Sequence, residues 1–248
     1  AANWGYINHK GQFVISPRYD WADSFSEGLA AVRVRGKWGF IDKTGHFVIA
    51  PTYDEALAFG DGLAPIKSGD RWGFVNKAGQ IVIKPAFESA LIFSEGLAPV
   101  KVGNLWGYID RAGTVAIRPR FNWAYSFSQG LATVEVDDLH HTGFIDRTGT
   151  SVIAPAFFQA YAFSGGLAPV LIRQNAWRFI DRQGRFAFSK TFYFVGRFSQ
   201  GLAMAATSKS DGTYKLGYIN RAGQFVITLN NFRGGGEFSE GLAPVEKY

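Results

Sequence analysis

Seven side chains bearing a carboxylate or carboxamide recur in one register: Asn8, Asp42, Asn76, Asp110, Asp146, Asp181 and Asn220. Each is followed three residues later by glycine, from Gly11 and Gly45 through to Gly223. Repeated oxygen donors have two possible uses. They can ligate a hard cation, or they can accept hydrogen bonds from the backbone of a tight turn. Asp and Asn interchange freely here, which a hard-cation site tolerates poorly, so turn capping is the expected role and no metal site is expected. The next position carries a cation in six copies, Lys43, Lys77, Arg111, Arg147, Arg182 and Arg221, and the first copy reads His9-Lys10. Equal register places these charges on one face of any regular array. Two readings of Lys10, Lys43, Lys77, Arg111, Arg147, Arg182 and Arg221 stay open: an anion-binding rim, or solvated turn cations.

Groups for covalent or acid–base chemistry are scarce. Only four histidines are present, His9, His46, His140 and His141. The sequence has no nucleophile elbow, no metalloprotease helix motif and no phosphate loop. Recurrent Ser and Glu, such as Ser26 and Glu27, belong to the repeat and read as structure. The chain is therefore expected not to be an enzyme and to need no cofactor. Tryptophans are a third candidate group, because indole faces can stack on sugars. Trp4, Trp38, Trp72 and Trp106 recur at one strand position, where packing is the expected role. Trp21 and Trp123 lie in connectors, at positions where other copies have Glu55, Ser89, Gln159 and Val195. They are the candidates for ligand contact.

The elements that must position these residues come from repetition. Trp-Gly begins at Trp4, Trp38, Trp72 and Trp106, each 34 residues after the last, with degenerate copies at Thr142-Gly143, Trp177-Arg178 and Leu216-Gly217. A second marker, Phe-Ser-Glu-Gly-Leu-Ala, begins at Phe25 and recurs with small changes at Phe59, Phe93, Phe127, Phe163, Phe198 and Phe238. The combined pattern Trp-Gly-Phe/Tyr-Ile-Asp-x-x-Gly-x-x-Val-Ile-x-Pro-x-Phe/Tyr resembles the bacterial WG-repeat family over essentially the whole chain. The resemblance implies a β-repeat module and implies little about activity.

Within one copy, short β-branched and aromatic runs predict strands over 30–34, 38–42 and 46–50, with the same offsets in the others. Pro51 is expected to stop the third strand. The connector from Pro51 to Gly62 must run back, as a fourth strand or as a helical turn. The spacing of Tyr53, Ala56 and Phe59 by three favours a turn. Both strand faces are apolar, with Trp38 and Phe40 opposite Ile41, so each sheet must be sandwiched. Stacking of seven copies predicts a single all-β domain over 1–248, either a closed seven-bladed β-propeller-like ring of 34-residue repeats or an open arc or solenoid. The C-terminal Gly241–Val245 segment reads as a first strand without partners, and Trp4–Ile7 as a second strand without a first. Pairing of Ala243–Glu246 with Trp4–Ile7 would close the ring.

Composition sets the remaining bounds. Apolar residues at 47% and charged residues at 19% support a buried core. The 23 Phe and 30 Gly suit short strands and tight turns. With no cysteine, disulfide and thiolate chemistry are excluded. No apolar run approaches the roughly 20 residues of a membrane helix. Net charge is +6, which permits acidic partners, and no spacing of basic and aromatic residues matches a nucleic-acid motif. Ala1-Ala2-Asn3 reads equally as a mature end after cleavage or as a boundary, giving a preference for a periplasmic or secreted, bacterial setting. The expected function is a monomeric, non-enzymatic scaffold for protein–protein interaction. The alternative is a lectin-like module for glycan or cell-wall polymer. The insertions Val136–His141 and Ala206–Tyr214 are further places where specificity can reside.

Overall fold

The computed structural model describes residues 3–8, 10–137, 139, 141–208, 213–230, 232–238 and 241–247. It divides into two compact units, residues 1–120 and 121–248. Every regular element is a β-strand, and no helix occurs among the described residues.

The first unit opens with a two-stranded antiparallel sheet, Trp4–Ile7 with Phe13–Tyr19. A four-stranded sheet follows, built in chain order from Trp21–Ala22, Ala30–Val34, Lys37–Ile41 and Phe47–Tyr53. The next repeats it with Glu55–Ala56, Leu63–Ser68, Arg71–Asn76 and Ile81–Phe87. Its successor consists of Ser89–Ala90, Leu97–Val102, Leu105–Asp110 and Val115–Phe121, whose last residue belongs to the second unit. In the second unit the series continues with Trp123–Ala124, Ala132–Glu135, Thr142–Ile145 and Ser151–Phe157. A three-stranded sheet comes next, Gln159–Ala160, Ala168–Arg173 and Ala176–Ile180. After it come Phe194–Val195, Ala203–Ser208, Tyr214–Ile219 and Phe225–Thr228. The last sheet pairs Phe232–Gly235 with Val245–Lys247.

Three expectations need correction. The connector after the third strand is not a helical turn. It forms a two-residue strand, as at Glu55–Ala56, which pairs Glu55 with Lys67 and Ala56 with Ile66 of the following sheet. The three-residue spacing of Tyr53, Ala56 and Phe59 reflects separate burial against neighbours, not helical geometry. Pro51 does not end its strand, which continues to Tyr53. The register explains the tolerance: Phe40 faces Ile49, yet Trp38 faces Tyr53, so extra residues bulge out around Pro51 on an edge strand. Finally, Val245–Lys247 has a partner, Phe232–Gly235, where an unpaired strand was expected.

The bulge accounts for the glycine of Trp-Gly. A methyl group built on Gly39 would stand 2.5 Å from the carbonyl oxygen of Ile49 and 2.7 Å from the nitrogen of Pro51. Gly73 and Gly107 are pressed in the same way against Ile83 and Pro85, and against Ile117 and Pro119. Copy six tests the link. It has Arg178 for glycine and Lys190 for proline, and its third strand breaks down to single bridges, Trp177 with Phe192 and Ile180 with Phe186.

Both sheet faces are buried, as the apolar pattern requires. Phe40 packs with Phe59, Ile66 and Val75 of the following copy. Ile41, on the other face, packs with Ile15, Tyr19, Ala30 and Val32. The aromatic after Trp-Gly, or after its degenerate form, meets the marker phenylalanine edge-on at Phe40–Phe59, Phe74–Phe93 and Phe144–Phe163 and tilted at Phe179–Phe198. Centroids are 4.9 Å apart for Phe40–Phe59, Phe74–Phe93 and Phe144–Phe163, and 5.0 Å for Phe179–Phe198. Such edge-to-face pairs add about 0.5–1.5 kcal/mol each beyond burial, which is a physical use for the abundant phenylalanine.

The Ser-x-Gly-Leu marker is a two-residue hairpin. Ser26 and Leu29 exchange both backbone hydrogen bonds, and Glu27 and Gly28 adopt φ of 51° and 89°. This is the type I′ pattern, which needs positive φ at both central residues. The same turn ties one copy to the next. The Ser26 hydroxyl donates to the Phe59 carbonyl at 2.8 Å, and Ser128 to Phe163 at 2.7 Å. Glu27 accepts from the Gly62 N–H at 3.1 Å, Asp61 from Gly96 at 2.7 Å, Gln129 from Gly166 and Gln200 from Gly241 at 2.9 Å. A left-handed non-glycine residue costs about 1–2 kcal/mol, and its side chain is the one that reaches the neighbouring copy.

Candidate interaction surfaces

The recurrent Asx residues cap turns in all seven copies. Asp42 Oδ1 accepts the N–H groups of Thr44 at 2.9 Å and His46 at 3.1 Å. Asn8, Asn76, Asp110, Asp146, Asp181 and Asn220 do the same for the residues two and four positions on. Hydrogen bonds hold the Asp42, Asp146 and Asp181 carboxyls low. The Thr44 hydroxyl is the main cause at Asp42 and the Thr148 hydroxyl at Asp146. At Asp181 desolvation pushes upward, and the hydrogen bonds from Arg185 outweigh it. Among the described residues, no three His, Asp or Glu side chains gather as a metal site would require.

The cations one position on are all exposed. In the first unit Lys77 Nζ lies 3.1 Å from the Glu27 carboxylate, and Arg111 Nη2 sits 3.3 Å from where a methyl on Gly62 would be. In the second unit Arg182 and Arg221 reach Gly130 and Gly166 in the same manner, at 3.0 and 2.9 Å. These four therefore lean on type I′ turns of an earlier copy. Lys10, Lys43 and Arg147 share the same exposure. His9, read with Lys10 at the sequence level, lies outside the described residues.

The tryptophans divide by position with one exception, Trp4, which is exposed where packing was expected because its sheet has only two strands. Trp72, Trp106 and Trp177 are buried, and Trp38 is half-buried. Trp4 and Trp21 are 45% and 46% exposed with ring centroids 4.9 Å apart, which makes an open aromatic platform in the first unit. The indole N–H of Trp21 donates to Asp23 Oδ1 at 2.9 Å and fixes the ring. Trp123, in the second unit, is 39% exposed beside Tyr125 at 6.2 Å.

In the inserted loop of copy five, Asp137 accepts the N–H groups of Leu139 and His141, and its Oδ2 lies 2.7 Å from His141 Nδ1. The His141 backbone N–H is the main cause of a lowered Asp137 pKa. Asp138 and His140 are outside the described residues, as are 209–212 of the copy-seven insertion. Two features escaped the sequence reading. One is a cleft of about 340 Å³ lined by Arg18, Tyr19, Val34, Gly45, His46 and Phe47. Its Arg18 guanidinium donates to the Gly45 carbonyl at 2.6 Å and to Tyr19 OH at 3.0 Å. The other is a lysine pair over Phe225. In both cases it is the combination of residues across neighbouring copies that is particular, and a search along one register passes over it.

The WG containing repeat matches this sequence seven times, over residues 4–38, 38–72, 72–106, 106–139, 143–175, 177–207 and 217–248. The chain belongs to the WG-repeat family. The family matches begin at or beside the Trp-Gly pair or its degenerate form, so each one runs across the boundary between two sheets. Curated proteins provide no match. Among solved structures, BamB from Moraxella catarrhalis is similar at 12% identity and a TM-score of 0.46, over 88% of this chain and 73% of that one. The WD40 β-propeller domain of Doa1 is similar at 10% identity and a TM-score of 0.47, over 93% of this chain and 90% of that one. PorZ, a surface component of the type-IX secretion system of Porphyromonas gingivalis, is similar at 8% identity and a TM-score of 0.45, over 93% of this chain and 38% of that one. The WG-repeat architecture rests on the family match and on the repeated sheets themselves.

Proposed function

We propose that this WG-repeat chain is a non-enzymatic scaffold that binds another protein. One observation carries the reading. The recurrent polar side chains are engaged in holding the backbone: Asx oxygens on turn N–H groups, serine hydroxyls on the next copy's carbonyl, and Glu, Asp or Gln on the next copy's glycine. A regular frame of this kind presents its non-recurrent residues at the surface, where binding specificity resides. Equal register of Lys10, Lys43, Lys77, Arg111, Arg147, Arg182 and Arg221 supports an acidic partner, since rim charges steer association. Crosslinking in native extracts followed by mass spectrometry tests the proposal. Defined protein partners, lost when Arg111, Arg147 and Arg182 are together changed to Glu, are expected. A partner retained through that triple change at physiological salt removes the rim from the site.

The glycan reading has its own observation, the exposed Trp4–Trp21 pair. A glycan array decides between them. Carbohydrate binding abolished by Trp21→Ala supports the lectin-like alternative.

We propose further that the seven copies close as a propeller-like ring. The first sheet holds what corresponds to the last two strands of a complete sheet, and the final sheet holds the first two. Joined in a ring, the two would supply the strands of one complete sheet.

A further inference from the structure

Lys190 and Lys215 both stand over one aromatic ring in the second unit. Lys190 Nζ is 5.0 Å from the centroid of Phe225 and 5.6 Å from that of Phe192, and Lys215 Nζ is 4.7 Å from Phe225. The two ammonium groups are no further apart than the sum of their distances to the shared centroid. The ring attracts each cation, and the cations repel one another.

Comparison by register shows that this is a departure from the repeat. Lys215 occupies the position of Lys37 and Arg71, three residues before the aromatic of the Trp-Gly-aromatic triplet. Those two are neutralised within their own sheets, Lys37 by Asp54 at 2.5 Å and Arg71 by Glu88 at 2.6 Å. The position of Asp54 and Glu88 reads Phe232 in copy seven when counted from the bulge isoleucine, and Arg233 when counted from the pairing of the next strand. Neither is an acid, so the counter-charge is lost while the cation is kept. Lys190 in turn stands where the first five copies have proline, so a second cation is added from the irregular segment that replaces the third strand of copy six. No ion pair to either lysine occurs among the described residues. Lys190 is exposed and Lys215 half-buried, so both are open to a ligand.

We propose that Lys190 and Lys215 form a binding site for a phosphoryl dianion, the charged group of a larger ligand, seated at the seam between copies six and seven. Two compact ammonium donors, one from the irregular segment between Ala176–Ile180 and Phe194–Val195 and one from Tyr214–Ile219, suit a single tetrahedral dianion drawn to both. A planar carboxylate is better matched by the forked guanidinium of arginine. The site is independent of the scaffold reading and of the rim of turn cations.

Titration of the intact chain with phenyl phosphate at low ionic strength, followed by 31P NMR, tests it. Lys190→Gln and Lys215→Gln are each expected to weaken binding by roughly threefold or more and the double variant to abolish it, because each lysine supplies one charge-assisted contact. Lys84→Gln, an exposed lysine outside the rim, is expected to leave binding unchanged. Phenyl phosphate binding equally well to the double variant overturns the site. Equal weakening by Lys84→Gln overturns it too, since the effect is then a diffuse surface field. A second measurement needs no variant. Acylation of lysines by a soluble succinimidyl ester, read by mass spectrometry, should show phenyl phosphate protecting Lys190 and Lys215 and sparing Lys84. Absence of protection, or equal protection by benzoate at matched ionic strength, overturns the proposal.

Discussion

At the scale of single residues, the glycine of Trp-Gly and the proline downstream are one device. Gly73 leaves room for the bulged backbone at Ile83–Pro85, so Gly73→Ala should overpack the sheet and cost about 1–3 kcal/mol, read as a lower urea midpoint at unchanged slope. The Asx residues make a second prediction. Folding lowers the Asp42 and Asp146 pKa values below the ordinary 3.8, chiefly through the Thr44 and Thr148 hydroxyls. A carboxyl with a depressed folded pKa stabilises the fold above its unfolded pKa, and that stability is lost as pH falls through the lower folded value. The melting temperature should therefore drop as pH falls below about 4. The double change Asp42→Asn with Asp146→Asn should flatten that drop while leaving neutral-pH stability nearly intact. Asparagine already holds the same turn at Asn8, Asn76 and Asn220. The turn role was legible in the sequence because Asp and Asn alternate. The Gly–Pro contact was not, because it joins residues on adjacent strands through a bulge that periodicity does not encode.

At the scale of elements, the long strands follow from their β-branched and aromatic runs, and Ala30–Val34, Lys37–Ile41 and Phe47–Tyr53 lie close to where those runs place them. The fourth strand was hidden. Two residues of backbone pairing at Glu55–Ala56 leave no alternation to read, and the partner strand lies in the next copy. The type I′ marker turn carries a prediction of its own. Gln129 holds φ of 54° and accepts from Gly166 N–H in the following copy. Gln129→Ala keeps the left-handed strain and loses the bond, and should cost about 1–2 kcal/mol. Gln129→Gly loses the bond but relieves the strain, and should be the milder change. Chemical denaturation of the two variants side by side checks the order. Gly165 is the natural example of the second case, at φ of 59° in the same position. The candidate surfaces were legible in proportion to their regularity. The rim cations share a register and were readable, whereas Lys190, Lys215 and Phe225 matter through what copies six and seven have lost.

At the scale of the whole molecule, seven family matches and the repeated sheets define a β-repeat protein. Ring closure makes a prediction that depends on the half-sheets. Removal of 242–248 takes away Val245–Lys247, the partner of Phe232–Gly235. In a closed ring the loss also opens the first sheet, and the melting temperature should fall by on the order of 10 °C. A fall of a degree or two points to an open arc instead.

The covalent repeat and the folded sheet are out of phase, and this bears on how such a gene can change length. A tandem duplication from one Trp-Gly to the next copies the last two strands of one sheet and the first two of its successor, as from Trp38 to Trp72. Unequal crossing-over at that boundary thus inserts no orphan strand. The new half-sheets complete one another and the old neighbours, and the hydroxyl of each Ser-x-Gly-Leu turn finds the carbonyl of whichever copy comes next. Copy number can thus change by whole units without leaving an unpaired strand, and point substitution is then free to individualise a single seam, as at Lys190.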